Sequence, residues 1–365
     1  MPELAHLKLA VFGQSGAGKT VFFASYYGSQ HSQIFETTSG YHLEAQSKTQ
    51  GNTLLGRYNR LSAGKFPDAT DVLTKYAFDI KIGQLPSPGM TISWLDYPGG
   101  WWERVPTTSV EKNERDSAVK ELLSSHAILL FLDGEKLRDN QSLYLQRILH
   151  DYSIMIKDIK KRLSGGRDFV ESIPHTVILA VTKADLLPIS TNAKAVSDAI
   201  LAEAENEVNL IARELGSAAK PAPFPTHVML LSSVHSPDKA SVDVSRSVGL
   251  DLIAPICLAA ILDETARRAG KKGWAGYLGS FLSSIASFVH LVDKLDDFLP
   301  KRYQVLTIIL KALPLEKLAR AGADELERVH SEAVQRFDAV TATAAAMSLI
   351  LARAKGPRSY YRGPG

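Results

Sequence analysis

The stretch Val11-Phe12-Gly13-Gln14-Ser15-Gly16-Ala17-Gly18-Lys19-Thr20 constrains this chain more than any other. It follows an apolar run, Leu7 to Phe12, and leads into Val21-Phe22-Phe23-Ala24, so the expected order is strand, loop, helix. Gly13, Gly18, Lys19 and Thr20 satisfy the pattern G-x-x-x-x-G-K-[ST]. Backbone N–H groups of such a loop wrap the α- and β-phosphates of a nucleotide, and the lysine ammonium reaches the β- and γ-phosphates. Glycine is needed because a Cβ would block both the turn and the approach of backbone to phosphate. The helix that follows adds its N-terminal dipole to the same anion site. The expected nucleotide contacts are therefore Gly13, Ser15, Gly16, Ala17, Gly18, Lys19, Thr20 and Val21, with the Thr20 hydroxyl available to Mg²⁺.

Further along, Leu43 to Leu61 has helical character in part. Tyr76, Phe78, Ile80 and Ile82 alternate with other residues as a half-buried strand does, and Met90 to Leu95 returns after the turn at Leu85 to Gly89. This pair reads as an antiparallel hairpin. Its second strand ends in Asp96-Tyr97-Pro98-Gly99-Gly100-Trp101-Trp102, and an aspartate at that place is where a Mg²⁺-binding acid belongs beside a phosphate loop. Gly99 can offer its N–H to a γ-phosphate and so sense it. A polar helix, Thr108 to Ser124, precedes the continuous apolar run Ala127 to Leu132, a strand buried on both faces. Asp133 at its end is a rival metal ligand or, alternatively, a helix cap. A helix from Asn140 to Leu163 and another buried strand, Thr176 to Val181, lead into Thr182-Lys183-Ala184-Asp185. There a carboxylate can accept from both N1–H and the exocyclic amine of guanine, a pattern adenine does not offer. The same four residues also suit a helix start. A single charged helix is expected from Asn192 to Leu215, then a strand from His227 to Leu231 running into Ser232-Ser233-Val234, whose small residues suit contact with a purine oxygen. Leu250 to Arg268 closes the domain as a helix.

Beyond Gly270 the alternation of strand and helix stops. Trp274, Tyr277, Leu278, Phe281, Leu282, Ile285, Phe288, Val289 and Val292 share one helical face, which either packs on the preceding domain or lies in a membrane surface at 273–292. The expected organisation is a nucleotide-binding domain at 1–270, a helical region at 271–355 and a basic flexible tail at 356–365 carrying Arg358 and Arg362. The formal charge of +3 gives no reason to expect nucleic acid. One cysteine, Cys257, rules out an intrachain disulfide framework and fits a reducing compartment; the first ten residues run into the first strand without a basic leader, so a cytoplasmic protein is expected.

The ordered set Gly13 to Thr20, Thr70, Asp96 to Gly99, Thr182 to Asp185 and Ser232 to Val234 resembles the five guanine-nucleotide motifs of P-loop GTPases of the translation-factor class, over about residues 5 to 270. Within that class the segment from Asp96 to Trp102 is similar to that of the bacterial YcjX-like, double-GTPase-like stress GTPases. The resemblance implies an α/β, Ras-like three-layer domain with a mostly parallel sheet that binds GTP or GDP. It further implies that Lys19 neutralises phosphate charge, that Thr20, Thr70 and Asp96 position Mg²⁺, that Gly99 reports the γ-phosphate, and that Thr182, Lys183, Asp185, Ser232 and Ser233 hold the base. Thr70 is assigned as the switch threonine, with Thr74, Thr37 and Thr38 as rivals. Two departures stand out: Thr182 replaces the usual asparagine, and Gly100 stands where many GTPases carry a water-orienting glutamine. The expected activity is GTP hydrolysis to GDP and phosphate, slow or stimulated by a protein partner, in a nucleotide-dependent switch. Its rivals are a non-hydrolysing guanine-nucleotide sensor and a membrane-associated remodelling GTPase.

Overall fold

A computed structural model describes residues 6–31, 35–36, 39–68, 73–82, 90–96, 98–101, 107–123, 125–163, 176–216, 221–236, 241–261, 343, 346–347, 350 and 359–362. Eight strands form one sheet: β1 (His6–Phe12), β2 (His42–Ala45), β3 (Thr74–Lys81), β4 (Met90–Asp96), β5 (Ala127–Asp133), β6 (Thr176–Thr182), β7 (His227–Leu230) and β8 (Tyr360–Arg362). Their spatial order is β2-β3-β4-β1-β5-β6-β7-β8. The pairs from β4 to β7 are all parallel, while β2–β3, β3–β4 and β7–β8 are antiparallel. This is the expected mostly parallel α/β sheet, with the hairpin where the alternation of Tyr76, Phe78 and Ile80 places it.

Strand alternation divides the interior into two cores. Leu7, Leu9 and Val11 of β1, with Ala127, Leu129 and Phe131 of β5, face one side. Ala10, Phe12, Ile128, Leu130 and Leu132 face the other. Helix α1 (Lys19–Gln30) covers the first side through Phe22, Phe23 and Tyr26, whose rings lie 5.6, 5.9 and 5.7 Å from the Trp94 ring on β4. Each such buried aromatic contributes about 1.5–3 kcal/mol, so the phosphate loop is fixed to the sheet by the helix behind it. Helix α2 (Lys48–Ser62) packs on α1 and is capped by Ser47, whose side chain accepts from Gln50 N–H. The second side is covered by α3 (Ser109–Leu123), α4 (Gly134–Asp139), α5 (Gln141–Leu163), α6 (Ala193–Glu203) and α7 (Glu205–Leu215). In α7 the buried residues Val208, Ile211, Ala212 and Leu215 recur at helical spacing.

The structure differs from the sequence reading at three places. His42–Ala45, read as part of a helical stretch, is an edge strand that pairs with β3, and the helix starts only after Ser47. The single helix expected over 192–215 is two, broken at Ala204 (φ −137°). The tail 356–365 is not solvated throughout: Tyr360–Arg362 adds an antiparallel strand to β7, and Leu230 N–H donates to Ser359 O at 2.8 Å. The aromatic pair supplies the reason, since Tyr360 is buried and its hydroxyl meets buried His227 Nδ1 at 2.7 Å. Ala346, Met347 and Ile350, from the expected helical region, lie in the same core as Cys257 and Leu250. Residues 253–261 are helical, as expected for the closing helix. The stripe at 273–292 lies outside the described residues, and no described helix is long and apolar enough to cross a membrane.

Candidate nucleotide site

All the parallel strands end on one edge, and their loops converge there, as the crevice rule for open α/β sheets requires. The loop after β1 turns on Gly16 and Gly18, both left-handed at φ 78° and 87°. The N-cap, Gly18, has no side chain to cap α1, which leaves its N-terminal amides available to an anion. Lys19 is buried, and its ammonium donates to Gly13 O at 2.7 Å and Gln14 O at 3.2 Å, folding back over its own loop.

The loop after β4 meets this turn. Gly99 opens a 3-10 turn, Gly99–Trp101, and a Cβ at position 99 would stand 2.6 Å from Ser15 N and 2.8 Å from Lys19 Nζ. Only a glycine can sit so close. Trp101 is buried, with the Arg115 guanidinium 5.8 Å from its ring centroid, and Arg115 pairs with Glu111 at 2.6 Å. The turn at Gly99 is thereby joined to α3.

Asp96 is completely buried, and neither carboxylate oxygen has a hydrogen-bond partner among the described residues. Burial pushes its pKa up from 3.8 to about 7, against the opposing charges of Lys19 and Arg57. A buried carboxylate with both oxygens unmatched, beside the phosphate lysine, has the donor chemistry of a Mg²⁺ ligand that acts directly or through water. Among the described residues no cluster of three or more His, Cys, Asp or Glu could hold a metal. A cation here would therefore need Asp96, the Thr20 hydroxyl and phosphate oxygens together, and that set fits Mg²⁺. Asp133, the rival, is otherwise engaged: its side chain accepts from Glu135 N–H as the cap of α4 and from Lys183 Nζ at 2.8 Å.

At the other end of the site, Lys183 takes a left-handed backbone (φ 50°) and spans Asp133 and Glu135, the latter at 3.2 Å. Gly134 permits this, because a Cβ there would lie 2.3 Å from Thr182 O. Thr182 binds across the sheet to Leu132 O at 3.1 Å. The Asp185 carboxylate accepts from Ser232 Oγ at 2.6 Å and from Ser236 N–H at 2.9 Å. His235 Nδ1 lies 3.7 Å from its Oδ2, and since a carboxylate has about four acceptor sites, it keeps acceptor capacity for a ligand.

One cavity of about 720 Å³ joins the two ends. Ser15, Gly16, Gly18, Lys19, Thr20 and Val21 line it together with Gly99, Thr182, Lys183, Asp185, Ser232 and Ser233. Its size is that of a small-molecule cofactor site. Gly13, Ala17 and Asp96 are not among the lining residues: Gly13 supplies a carbonyl to Lys19, and Ala17 and Asp96 are buried. Thr70, Thr37 and Thr38 lie outside the described residues, whereas Thr74 sits in β3 opposite Asp96. Sequence reading missed Phe66, Pro67, Asp68, Glu135, Leu186 and Ser236, which also line the cavity. Only Glu135 carried a local signal, the Asp133-Gly134-Glu135 turn.

A model of the Double-GTPase 2 family matches residues 8–224, more than half of the 365-residue chain. The chain belongs to that family. This Double-GTPase 2 protein is accordingly a P-loop, GTP-binding protein. Solved structures similar to it include a signal recognition particle receptor SRb-GTP/SRX complex from Chaetomium thermophilum (17% identity, 55% of this chain and 79% of that one, TM-score 0.32). Another is the Plasmodium falciparum protein named nucleolar GTP-binding protein 1 (15% identity, 72% and 91% coverage, TM-score 0.31). No curated protein matches the sequence significantly.

Proposed function

We propose that this protein binds GTP with Mg²⁺, hydrolyses it to GDP and phosphate, and uses the change in phosphate occupancy as a cytoplasmic switch read by a protein partner. One observation carries the reading: Ser15, Gly16 and Gly18 to Val21 of the phosphate loop line a single cavity together with Asp185. Phosphates at one end and a guanine edge at the other match what each end offers.

Hydrolysis proceeds by in-line attack of a water oxygen on the γ-phosphorus as the bond from that phosphorus to the β–γ bridging oxygen breaks, the water proton passing to phosphate or solvent. Lys19 and the loop amides meet the charge that develops on the phosphate oxygens. Mg²⁺, held by Thr20 and Asp96, would neutralise charge on the β- and γ-oxygens. Gly100, at the position where many GTPases carry a glutamine, has no side chain to orient the water. Slow intrinsic turnover, raised by a partner, is consistent with this. The same feature favours the alternative of a guanine-nucleotide sensor that does not hydrolyse. In either case the readout runs from Gly99 through Trp101 and Arg115 to α3.

Phosphate release from purified protein with excess GTP and Mg²⁺ tests the reading. Turnover that vanishes on removing Mg²⁺ and in Lys19→Ala supports it; no phosphate release under any condition leaves the sensor.

A further inference from the structure

Arg57 stands apart from the other charged residues around the site. It lies on α2, half buried, and its Nη1 donates to the Tyr76 hydroxyl at 3.3 Å. That is its one hydrogen bond among the described residues, which also give it no ion pair. A guanidinium has five N–H donors and is at its best against phosphate or carboxylate oxygens. Here it rests on a single neutral phenol, since burial raises the Tyr76 pKa above its ordinary value.

The phenol places it close to the chemistry. Tyr76 is buried on β3 with its ring 4.8 Å from Phe23 of α1, the helix that Lys19 begins. Two residues before it in β3, Thr74 pairs with Asp96. Arg57 does not itself line the cavity, but Phe66, Pro67 and Asp68, which follow its helix, do; it is a weakly tethered cation beside the site, which has no side chain at Gly100 to assist the attacking water.

We propose that Arg57 is a guanidinium supplied in cis to the γ-phosphate, leaving Tyr76 to bind the phosphate oxygens as they gain charge in the hydrolytic transition state. The proposal rests on the hydrolytic reading above. The reaction is unchanged: water adds to the γ-phosphorus, the bond to the bridging oxygen breaks, and GDP and phosphate leave. Arg57 transfers no proton and acts by charge and hydrogen bonding.

The test uses the full chain: single-turnover hydrolysis of GTP with saturating Mg²⁺, and equilibrium binding of a fluorescent GDP with and without aluminium fluoride, for wild type, Arg57→Ala and Arg57→Lys. The expected loss in hydrolysis is roughly 10³-fold for Arg57→Ala, with GDP affinity within about threefold of wild type. Arg57→Lys remains impaired, because an ammonium does not reproduce the fork. Added guanidinium ion partly restores Arg57→Ala, and aluminium fluoride tightens GDP binding in wild type alone. A purely structural role would lower GDP affinity and resist guanidinium rescue. Wild-type hydrolysis with a loss under about tenfold in both variants overturns the proposal and leaves the GTPase reading intact. Absence of both hydrolysis and the aluminium fluoride effect in wild type overturns the GTPase reading and this proposal with it.

Discussion

Gly99→Ala and Gly100→Ala, neighbours in sequence, are expected to behave in opposite ways. A methyl group at position 99 would sit 2.6 Å from Ser15 N, 2.8 Å from Gln14 C and 2.8 Å from Lys19 Nζ. Two of those three atoms are backbone of the phosphate loop, so the loop itself must retreat or the 3-10 turn must shift. Overpacking of this kind costs about 1–3 kcal/mol. If the strain falls on the nucleotide-competent loop, affinity drops by roughly 5- to 150-fold. At position 100 the methyl meets no heavy atom of the described residues within 4 Å, and binding is expected to stay within about twofold of wild type. Titration of a fluorescent GDP into each variant measures both effects, with thermal unfolding to confirm folding. Equal affinities for the two variants would show that Gly99 does not abut the phosphate loop in solution, and the account of the γ-phosphate sensor would fail.

Four further outcomes follow from buried groups. Asp96, held near 7 instead of 3.8, binds its proton more tightly folded than unfolded, so the metal-free protein loses stability as pH rises from about 4 to about 7. At about 1.4 kcal/mol per pH unit the full cost is of order 4 kcal/mol; Asp96→Asn should match wild type near pH 4 and exceed it above pH 7 in denaturant titrations with chelator, and a difference independent of pH would contradict the burial argument. His227 is pushed down from 6.5 to about 3 by burial, so its contribution is intact above about 6.5 and lost as pH falls toward 3. Tyr360→Phe leaves His227 Nδ1 without its 2.7 Å partner and should cost about 1–3 kcal/mol, measured by urea unfolding; no change would mean that β8 does not hold the sheet edge. Gly134→Ala brings a methyl within 2.3 Å of Thr182 O and should weaken GDP binding more than it lowers the unfolding midpoint; an unaffected affinity would sever Lys183 from base binding.

Those features of the site that rest on local chemistry were legible in the sequence. The glycines before Lys19, the aspartate ending β4 and the aspartate after β6 announce themselves by residue type and by the strand each follows. What stayed hidden depends on distant partners. β2 and β8 are short edge strands of four and three residues, made by pairing with β3 and β7 and not by their own patterns. The break at Ala204 carries neither glycine nor proline, and becomes visible only because α6 and α7 pack against different neighbours, α6 on β7 and α7 on α5. Phe66 and Ser236 reach the cavity through loops whose course no periodicity describes. Residue type alone suits Asp133 to either metal binding or capping; the structure gives it to the cap and to Lys183.

Competition among GTP, XTP and ATP for wild type and Asp185→Asn tests the assignment of guanine to Asp185 most directly. A carboxylate accepts from N1–H and the 2-amino group, whereas a carboxamide accepts from N1–H and donates to a 2-keto oxygen. Wild type should prefer GTP over XTP and ATP, and the variant should move that preference to XTP by roughly 10² or more. An unaltered order of preference in the variant would place the purine away from Asp185 and contradict the account.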